Sequence, residues 1–132
     1  MDRATAFRAL RDVGAAAWFG GSLMGVSGLN AAADAAGGPA DRQRVAQAGW
    51  STWTPIARAA LAATLTGGLG QLATRRGSGD AVGIGLTVAA AGVTAGTAVL
   101  GGRDDTPAAA IRAAEWVVPA LLAGVILSGA RR

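Results

Sequence analysis

Arg58 and Glu115 are the residues most able to do chemistry in this chain, because each is an ionisable group at or just inside the end of an apolar stretch. A charge in that position is costly, so it needs a partner, water or a function. Asn30 lies at the end of the first apolar stretch, and Thr54 lies at the start of the second. We expect these four residues to form one polar cluster.

Two interpretations of the cluster are open. The structural interpretation is an interhelical ion pair between Arg58 and Glu115 that sets helix register, or snorkelling of both side chains to a nearby interface. The functional interpretation is a polar vestibule for an anion, a proton or a lipid headgroup. No ionisable residue falls at the middle of any apolar stretch, which argues against a proton-coupled carrier.

The composition argues against several classes of site. The chain has no Cys, His or Tyr, so it offers no thiolate or imidazole ligand for haem, zinc or iron–sulfur groups. Cys- or His-based nucleophilic catalysis is excluded for the same reason. The glycine clusters at 20–21 and 67–70 lack a following GK[ST], which excludes a phosphate-binding loop. We therefore predict no catalytic residue, no cofactor and no metal site.

The net charge of +4 comes from arginine alone, since the chain has no lysine. These arginines stand singly or in pairs at the ends of apolar stretches, without the basic stripe that nucleic-acid binding requires. A GC-rich genome accounts for the bias toward Arg, Ala and Gly. Nucleic acid is therefore not an expected partner.

Four apolar stretches fill most of the chain, at residues 13–33, 54–73, 81–100 and 113–130. Each would reach about 27–32 Å as a helix, close to the thickness of the hydrocarbon core of a bilayer. Hydrophobic residues make up 52% of the sequence and charged residues 15%. We predict an all-α integral membrane four-helix bundle, a single domain over residues 1–132, in the bacterial cytoplasmic membrane. The first stretch is too long for a signal peptide, so we expect it to be a retained span.

The arginines also predict an orientation. Seven flank one side of the predicted bundle, at positions 3, 8, 11, 75, 76, 131 and 132, and four flank the other, at positions 42, 44, 103 and 112. The positive-inside rule then places both termini in the cytoplasm. Residues 40–53 are predicted to form a short interfacial helix that starts after Pro39. Trp50, Trp53 and Trp116 suit the headgroup region as interfacial anchors, with a ligand platform as the less favoured alternative.

Two glycine pairs have the spacing that lets helix backbones approach closely, Gly21 with Gly25 and Gly92 with Gly96. We expect both pairs to pack helices within the bundle. Contact between copies of the chain is the alternative.

Three motifs carry a resemblance to known proteins: the segment Trp18–Asn30, the segment Ala48–Pro55, and Trp116 with Pro119 in the last stretch. Together they resemble a group of small four-helix membrane proteins of high-GC actinobacteria that has no established activity. The resemblance implies the four-span topology and no catalytic residue.

These observations lead to two hypotheses of function. The first is a non-catalytic membrane protein that is an accessory subunit or a self-associating scaffold of a membrane complex. Its partners would be the lipid bilayer and either other membrane subunits or further copies of itself, as a homo-oligomer. The alternative is an oligomeric small pore or transporter, with an outer polar vestibule around Arg58 and Glu115.

Overall fold

The computed structural model describes residues 2–74, 79–100 and 108–130, and every regular element in that part of the chain is helical. The elements are α1 (Arg3–Met24), a π-helical turn (Gly25–Leu29), α2 (Asn30–Asp34), α3 (Pro39–Thr74), α4 (Gly79–Leu100) and α5 (Ala108–Ala130). Because α1, the π turn and α2 follow one another without a break, the elements form four helical rods. The all-α fold with four helices is confirmed.

The rods form a closed antiparallel ring. The first rod packs against α3 and α5, and α4 packs against the same two helices from the other side. The backbones of the described parts of α1 and α4 lie apart, across the diagonal, and the Arg11 side chain of α1 lies beside Gly83 of α4. Each helix therefore turns back beside the one before it, which is the up-and-down topology of a four-helix bundle.

The helix ends follow local rules. The carboxylate of Asp2 accepts a hydrogen bond of 2.7 Å from the backbone N–H of Thr5, and this capping bond lowers the pKa of Asp2. Pro39 is the first residue of α3, where its fixed φ fits the helix and its missing N–H costs nothing.

The third helix differs from the prediction, because residues 40–53 are not a separate interfacial helix. They continue into the following apolar stretch as one helix of 36 residues, about 54 Å long. Pro55 removes one intrahelical hydrogen bond, but its φ is compatible with a helix. Trp53 and Trp50, both N-terminal to Pro55, pack against Gly21 and Gly25 of the first rod, which fixes this half of α3 beside it.

The backbones of α1 and α3 approach each other closely at Gly14 of α1 and Gly67 of α3, which are not the glycines of the predicted pairs. A Cβ added at Gly14 would lie 2.7 Å from the Thr64 hydroxyl oxygen and 2.8 Å from the carbonyl oxygen of Ala60. A Cβ added at Gly67 would overlap the backbone N of Arg11 and lie 2.6 Å from the carbonyl oxygen of Phe7. Glycine is required at both positions because the neighbouring atoms are mainly backbone, which cannot rotate away.

Gly92 and Gly96 on α4 do not pack as expected. No described atom lies within 4 Å of a Cβ built at either position. The prediction that this pair packs helices within the bundle is therefore not supported by the described part of the chain.

One helical stretch is long and apolar enough to cross a membrane, among the residues that the structure describes. It is Ala109–Gly129 of α5, with 21 residues and a mean hydropathy of 1.7. The apolar part of α4, Ala81–Thr97, is shorter. Several arginines on which the predicted orientation depends lie outside the described residues, namely those at positions 75, 76, 103, 131 and 132.

The core lies at the middle of the bundle and draws on all four rods. Its buried members are Trp18, Ala60, Ala90, Val118 and Leu122. This cluster, which we call the central plug, separates a large cavity at one end of the bundle from a buried arginine at the other.

Candidate functional site

A cavity of about 640 Å³ opens between the rods, at the end of the bundle where α1 ends and α5 begins. Every rod contributes to its wall, and Trp18 and Val118 of the central plug form its floor. Sites for small molecules in proteins usually measure about 300–1,000 Å³. The cavity is therefore large enough for a small organic ligand.

The predicted polar cluster assembles at this cavity. Thr54, Arg58 and Glu115 line it, although they come from two helices far apart in sequence. The side-chain amide of Asn30 donates a hydrogen bond of 2.9 Å to a carboxylate oxygen of Glu115. The structure thus brings all four residues of the cluster to one place.

Arg58 and Glu115 do not form the ion pair that the structural interpretation expects. Both residues are described, and no ion pair within 4.0 Å joins them. Glu115 is half-buried and bonded to Asn30, whereas the Arg58 side chain is exposed. The amide of Asn30 supplies the donor that the guanidinium was expected to supply.

The π-helical turn sets the direction of Asn30. The backbone N–H of Asn30 donates to the carbonyl of Gly25, five residues earlier. One extra residue in a turn rotates the following residues by about 100° relative to a regular α-helix. Asn30, the first residue after the turn, therefore faces a direction that the α-helical period does not predict.

Three of the four tryptophans line the cavity, namely Trp18, Trp50 and Trp53. The indole of Trp53 lies over Gly21, and that of Trp50 lies over Gly25, so closely that a Cβ at either glycine would overlap the ring. The spacing of this glycine pair predicts contact between helix backbones, but each glycine instead leaves room for an indole ring. We call these two positions, at Gly21 and Gly25, the indole seats.

The tryptophans predicted as interfacial anchors thus occupy two kinds of environment. Trp50 and Trp53 are half-buried in the cavity wall, so they occupy the position of the ligand platform that the sequence analysis considered less favoured. Trp116 lies on the outside of α5 with 51% of its surface exposed.

The threonine hydroxyls around the cavity donate their protons to backbone carbonyls of their own helices. Thr54 donates to the carbonyl of Trp50 at 2.7 Å, Thr94 to that of Ala90 at 2.9 Å, and Thr97 to that of Thr94 at 3.0 Å. A hydroxyl whose proton is used in this way can only accept a further hydrogen bond. Together with Glu115, these oxygens form the acceptor part of the polar lining, and its donors are Arg58, the Ser22 hydroxyl and the indole N–H groups.

A second group of polar side chains links the helices at the same end of the bundle. Arg112 of α5 donates to both carboxylate oxygens of Asp34, at 2.9 and 3.1 Å, and Arg42 of α3 lies 3.5 Å from the same carboxylate. These side chains are half exposed, so each pair stabilises the fold by about 0.2–1 kcal/mol. Together with Asn30 and Glu115, they link the end of the first rod to the start of α5.

Arg11 is the residue that sequence reasoning missed. Its position before the first apolar stretch predicts a flanking arginine, but it is buried inside the bundle with 4% of its surface exposed. Its Nη2 donates to the carbonyl of Val125 at 2.9 Å, and its Nε has no hydrogen-bond partner among the described residues. The helical period held a signal, since Arg11 lies three and seven residues before Gly14 and Trp18, on the buried face of α1.

A void of about 10 Å³ adjoins Arg11 and is also lined by Thr64 and Thr87. Both threonine hydroxyls donate to carbonyls of their own helices, at 2.7 and 2.8 Å. Their oxygens can therefore only accept, whereas the guanidinium of Arg11 can only donate. A space of this volume and polarity suits one water molecule.

The chain matches no known protein family, no curated protein and no solved structure. The resemblance to small actinobacterial membrane proteins therefore stays a prediction. No group of three or more His, Cys, Asp or Glu residues that could hold a metal ion occurs in the described part of the chain. The cavity and its polar cluster are the features on which a function can be argued.

Proposed function

We propose that the chain is an integral membrane protein whose four rods cross the cytoplasmic membrane, with both termini inside. Support comes from large apolar side chains that stand exposed on every rod, among them Val13, Met24, Ile56, Leu69, Val82, Val88, Val99 and Leu127. In the membrane-length stretch of α5, only 22% is buried inside the bundle. A core helix of a soluble protein is mostly buried, so lipid is the environment that suits these surfaces.

Within the membrane, we propose that the bundle is the binding unit of a small pore or transporter. The observation that carries this proposal is the 640 Å³ cavity, which brings Thr54, Arg58 and Glu115 together in a wall of tryptophans. A simple packing subunit needs no such cavity, because helix association in a bilayer gains from close contact. No catalytic step is part of the proposal.

A liposome flux assay tests this function. The parent protein, Arg58→Ala and Arg112→Ala would be reconstituted, and the flux of small anions, small cations and protons would be compared with that of empty liposomes. We expect flux above the empty liposomes for the parent and a changed rate for Arg58→Ala. Arg112→Ala is the matched control, because Arg112 is half exposed and outside the cavity lining. The proposal fails if no tested ion crosses faster than in empty liposomes.

A second candidate function is self-association, or assembly with other membrane subunits, through the outer face of α4. Gly85, Gly92 and Gly96 are spaced by seven and four residues, so they share one helix face. At all three positions a Cβ would meet no described atom within 4 Å. A flat face of this kind lets a second helix approach closely in a bilayer.

Native mass spectrometry after gentle detergent extraction tests the second candidate. We expect the parent to form a defined homo-oligomer, or a complex with stoichiometric foreign subunits. Gly92→Leu combined with Gly96→Leu is expected to yield the single chain, since bulky side chains would cover the face. Gly20→Leu is the matched control, because Gly20 is also open to its surroundings but lies on α1. An unchanged particle in the double variant would count against this candidate.

A further inference from the structure

We propose that the cavity binds an organic ammonium ion that carries an apolar or aromatic body. This inference rests on the proposed binding function and names the ligand class of the same site. It combines the charge of Glu115, the acceptor part of the lining and the three tryptophans.

The first step concerns hydrogen-bonding polarity. Glu115 is the only carboxylate among the described lining residues, and it is half-buried. The amide of Asn30 bonds to Oε2, and no hydrogen bond to Oε1 occurs among the described residues. The hydroxyls of Thr54, Thr94 and Thr97 are also acceptors and offer no donor to an anion, and the charged donor of the lining is Arg58. A cation finds both a negative charge and several oxygen lone pairs there.

The second step concerns the aromatic wall. A cation over the face of an indole ring gains about 0.5–2 kcal/mol, and several rings together form the cages that recognise quaternary ammonium groups. Trp50 and Trp53 are half-buried in the cavity wall, with their positions fixed over Gly25 and Gly21, whereas Trp18 is 1% exposed and belongs to the floor. The remaining lining includes apolar side chains such as Val26, Leu61 and Val118, which suit an apolar body.

The third step concerns Arg58, whose positive charge opposes a cation. Its side chain is exposed, so solvent and headgroups screen it, whereas Glu115 is half-buried and screened less. The two charges also allow a specific test, because removing the charge of Glu115 and removing the charge of Arg58 must change ligand affinity in opposite directions. A cation is held by Glu115 and repelled by Arg58, and an anion would show the reverse.

Calorimetry in nanodiscs provides the binding test. The full chain would be placed in phosphatidylglycerol nanodiscs, which lack amine headgroups, and titrated with benzyltrimethylammonium. The comparison titrants are benzenesulfonate as the matched anion and benzyl alcohol as the neutral analogue, each corrected with empty nanodiscs. We expect saturable binding of the ammonium ion only. Adding glycerophosphocholine to the phosphatidylglycerol nanodiscs tells the sources apart, since competition at unchanged membrane charge would mean that a choline headgroup can occupy the site.

Two charge variants decide the inference. Glu115→Gln keeps the shape of the side chain and an oxygen for Asn30, and we expect it to weaken ammonium binding by about tenfold or more. Arg58→Gln is expected to increase that affinity, because it removes the charge that repels the cation, and a lower affinity would count against the inference. Trp50→Leu is expected to weaken binding by about 5- to 30-fold, which corresponds to the cation–π contribution of one ring. Far-UV circular dichroism and the thermal unfolding midpoint check that each variant keeps the parent fold.

The failure of this inference differs from the failure of the proposed function. Saturable binding of benzenesulfonate that Arg58→Gln abolishes would overturn the ammonium ligand but keep the cavity as a binding site. Ammonium binding that Glu115→Gln leaves unchanged would also overturn the inference. No saturable binding by any of the three titrants would overturn the inference, and lack of flux in the liposome assay would then remove the binding function as well.

Discussion

A Cβ added at Gly21 would overlap the indole ring of Trp53, whereas one added at Gly20 would meet no described atom within 4 Å. The two neighbouring glycines therefore make a matched pair. We expect Gly21→Ala to lower the free energy of unfolding by about 1–3 kcal/mol, because the ring must move out of its seat. Gly20→Ala is expected to be neutral or to add up to about 1 kcal/mol, through the higher helix propensity of alanine.

Thermal unfolding of both variants in detergent, followed by tryptophan fluorescence, measures the difference. All four tryptophans emit together, so a change in emission that Gly21→Ala shows and Gly20→Ala lacks indicates that the Trp53 ring has moved. Equal midpoints for Gly20→Ala and Gly21→Ala would contradict the seat, since they would mean that the indole is not held against α1.

Arg11 is a charged side chain buried inside the bundle. Two substitutions distinguish the effect of losing its volume from the effect of losing its charge. Arg11→Ala leaves an empty space beside Gly83 and Gly129, and removes the donor from the carbonyl of Val125. We expect a loss of about 2–4 kcal/mol in the free energy of unfolding. Arg11→Met keeps most of the volume and avoids burying a charge, so we expect a smaller loss.

The same unfolding assay measures these variants, with Arg8→Ala as the control, because Arg8 is exposed on the same helix. The control is expected to stay within about 0.5 kcal/mol of the parent. If Arg11→Met were as damaging as Arg11→Ala, the charge and its hydrogen bond would matter more than the packing.

At the scale of elements, the contact between α1 and α3 depends on backbone approach at Gly67. A Cβ there would overlap the backbone of Arg11, and that backbone cannot rotate away. At the next position, Gly68, a Cβ would lie 3.4 Å from a side-chain carbon of Ile84, which is ordinary contact. We expect Gly67→Ala to lose more than about 2 kcal/mol and Gly68→Ala to lose less than about 1 kcal/mol.

Thermal unfolding compares these two buried glycines directly. The positions adjoin one another on α3 and both are buried, so differences in helix propensity cancel. A larger loss for Gly68→Ala than for Gly67→Ala would mean that α1 and α3 are not in backbone contact there.

The elements also show which features a sequence can predict. The four helices follow from apolar length, and the start of α3 at Pro39 follows from the fixed φ of proline. The prediction that Arg58 and Glu115 belong to one polar cluster needs only the ends of the apolar stretches, and both residues line one cavity. Local rules were sufficient for these features because each depends on residues close together in the chain or on helix ends.

Other features depend on contacts between helices, which local rules do not contain. The spacing of Gly21 and Gly25 predicts a groove, but whether an indole or a backbone fills it depends on the register of α3. The π turn before Asn30 has no distinctive sequence, and it redirects the side chain that bonds to Glu115. Arg11 precedes the first apolar stretch, so the sequence predicts a flanking charge. In the structure α1 begins at Arg3, and Arg11 therefore lies well inside the helix.

At the scale of the whole molecule, three layers follow one another along the bundle axis. The cavity with Glu115 occupies one end, the central plug lies in the middle, and Arg11 with its small void occupies the other end. The two polar layers are thus separated by apolar side chains of all four rods. A pore or transporter in this conformation is closed, because an apolar layer without water is a barrier to ions, so flux through the parent requires the plug side chains to move apart.

Leu122 is the residue of the plug whose truncation would open this barrier most directly, since it is fully buried and the neighbouring Val118 forms the cavity floor. Leu122→Ala would leave a void in the plug that shortens the apolar layer between the cavity and Arg11. We expect a faster passive ion leak in liposomes than for the parent, and a loss of about 2–5 kcal/mol in the free energy of unfolding.

Leu127→Ala removes the same atoms from an exposed position on the same helix, so it controls for lost hydrophobicity. A leak that rises equally in both variants would indicate general loosening of the bundle. A leak confined to Leu122→Ala would mean that the plug is the closed gate of the pathway that begins at the cavity.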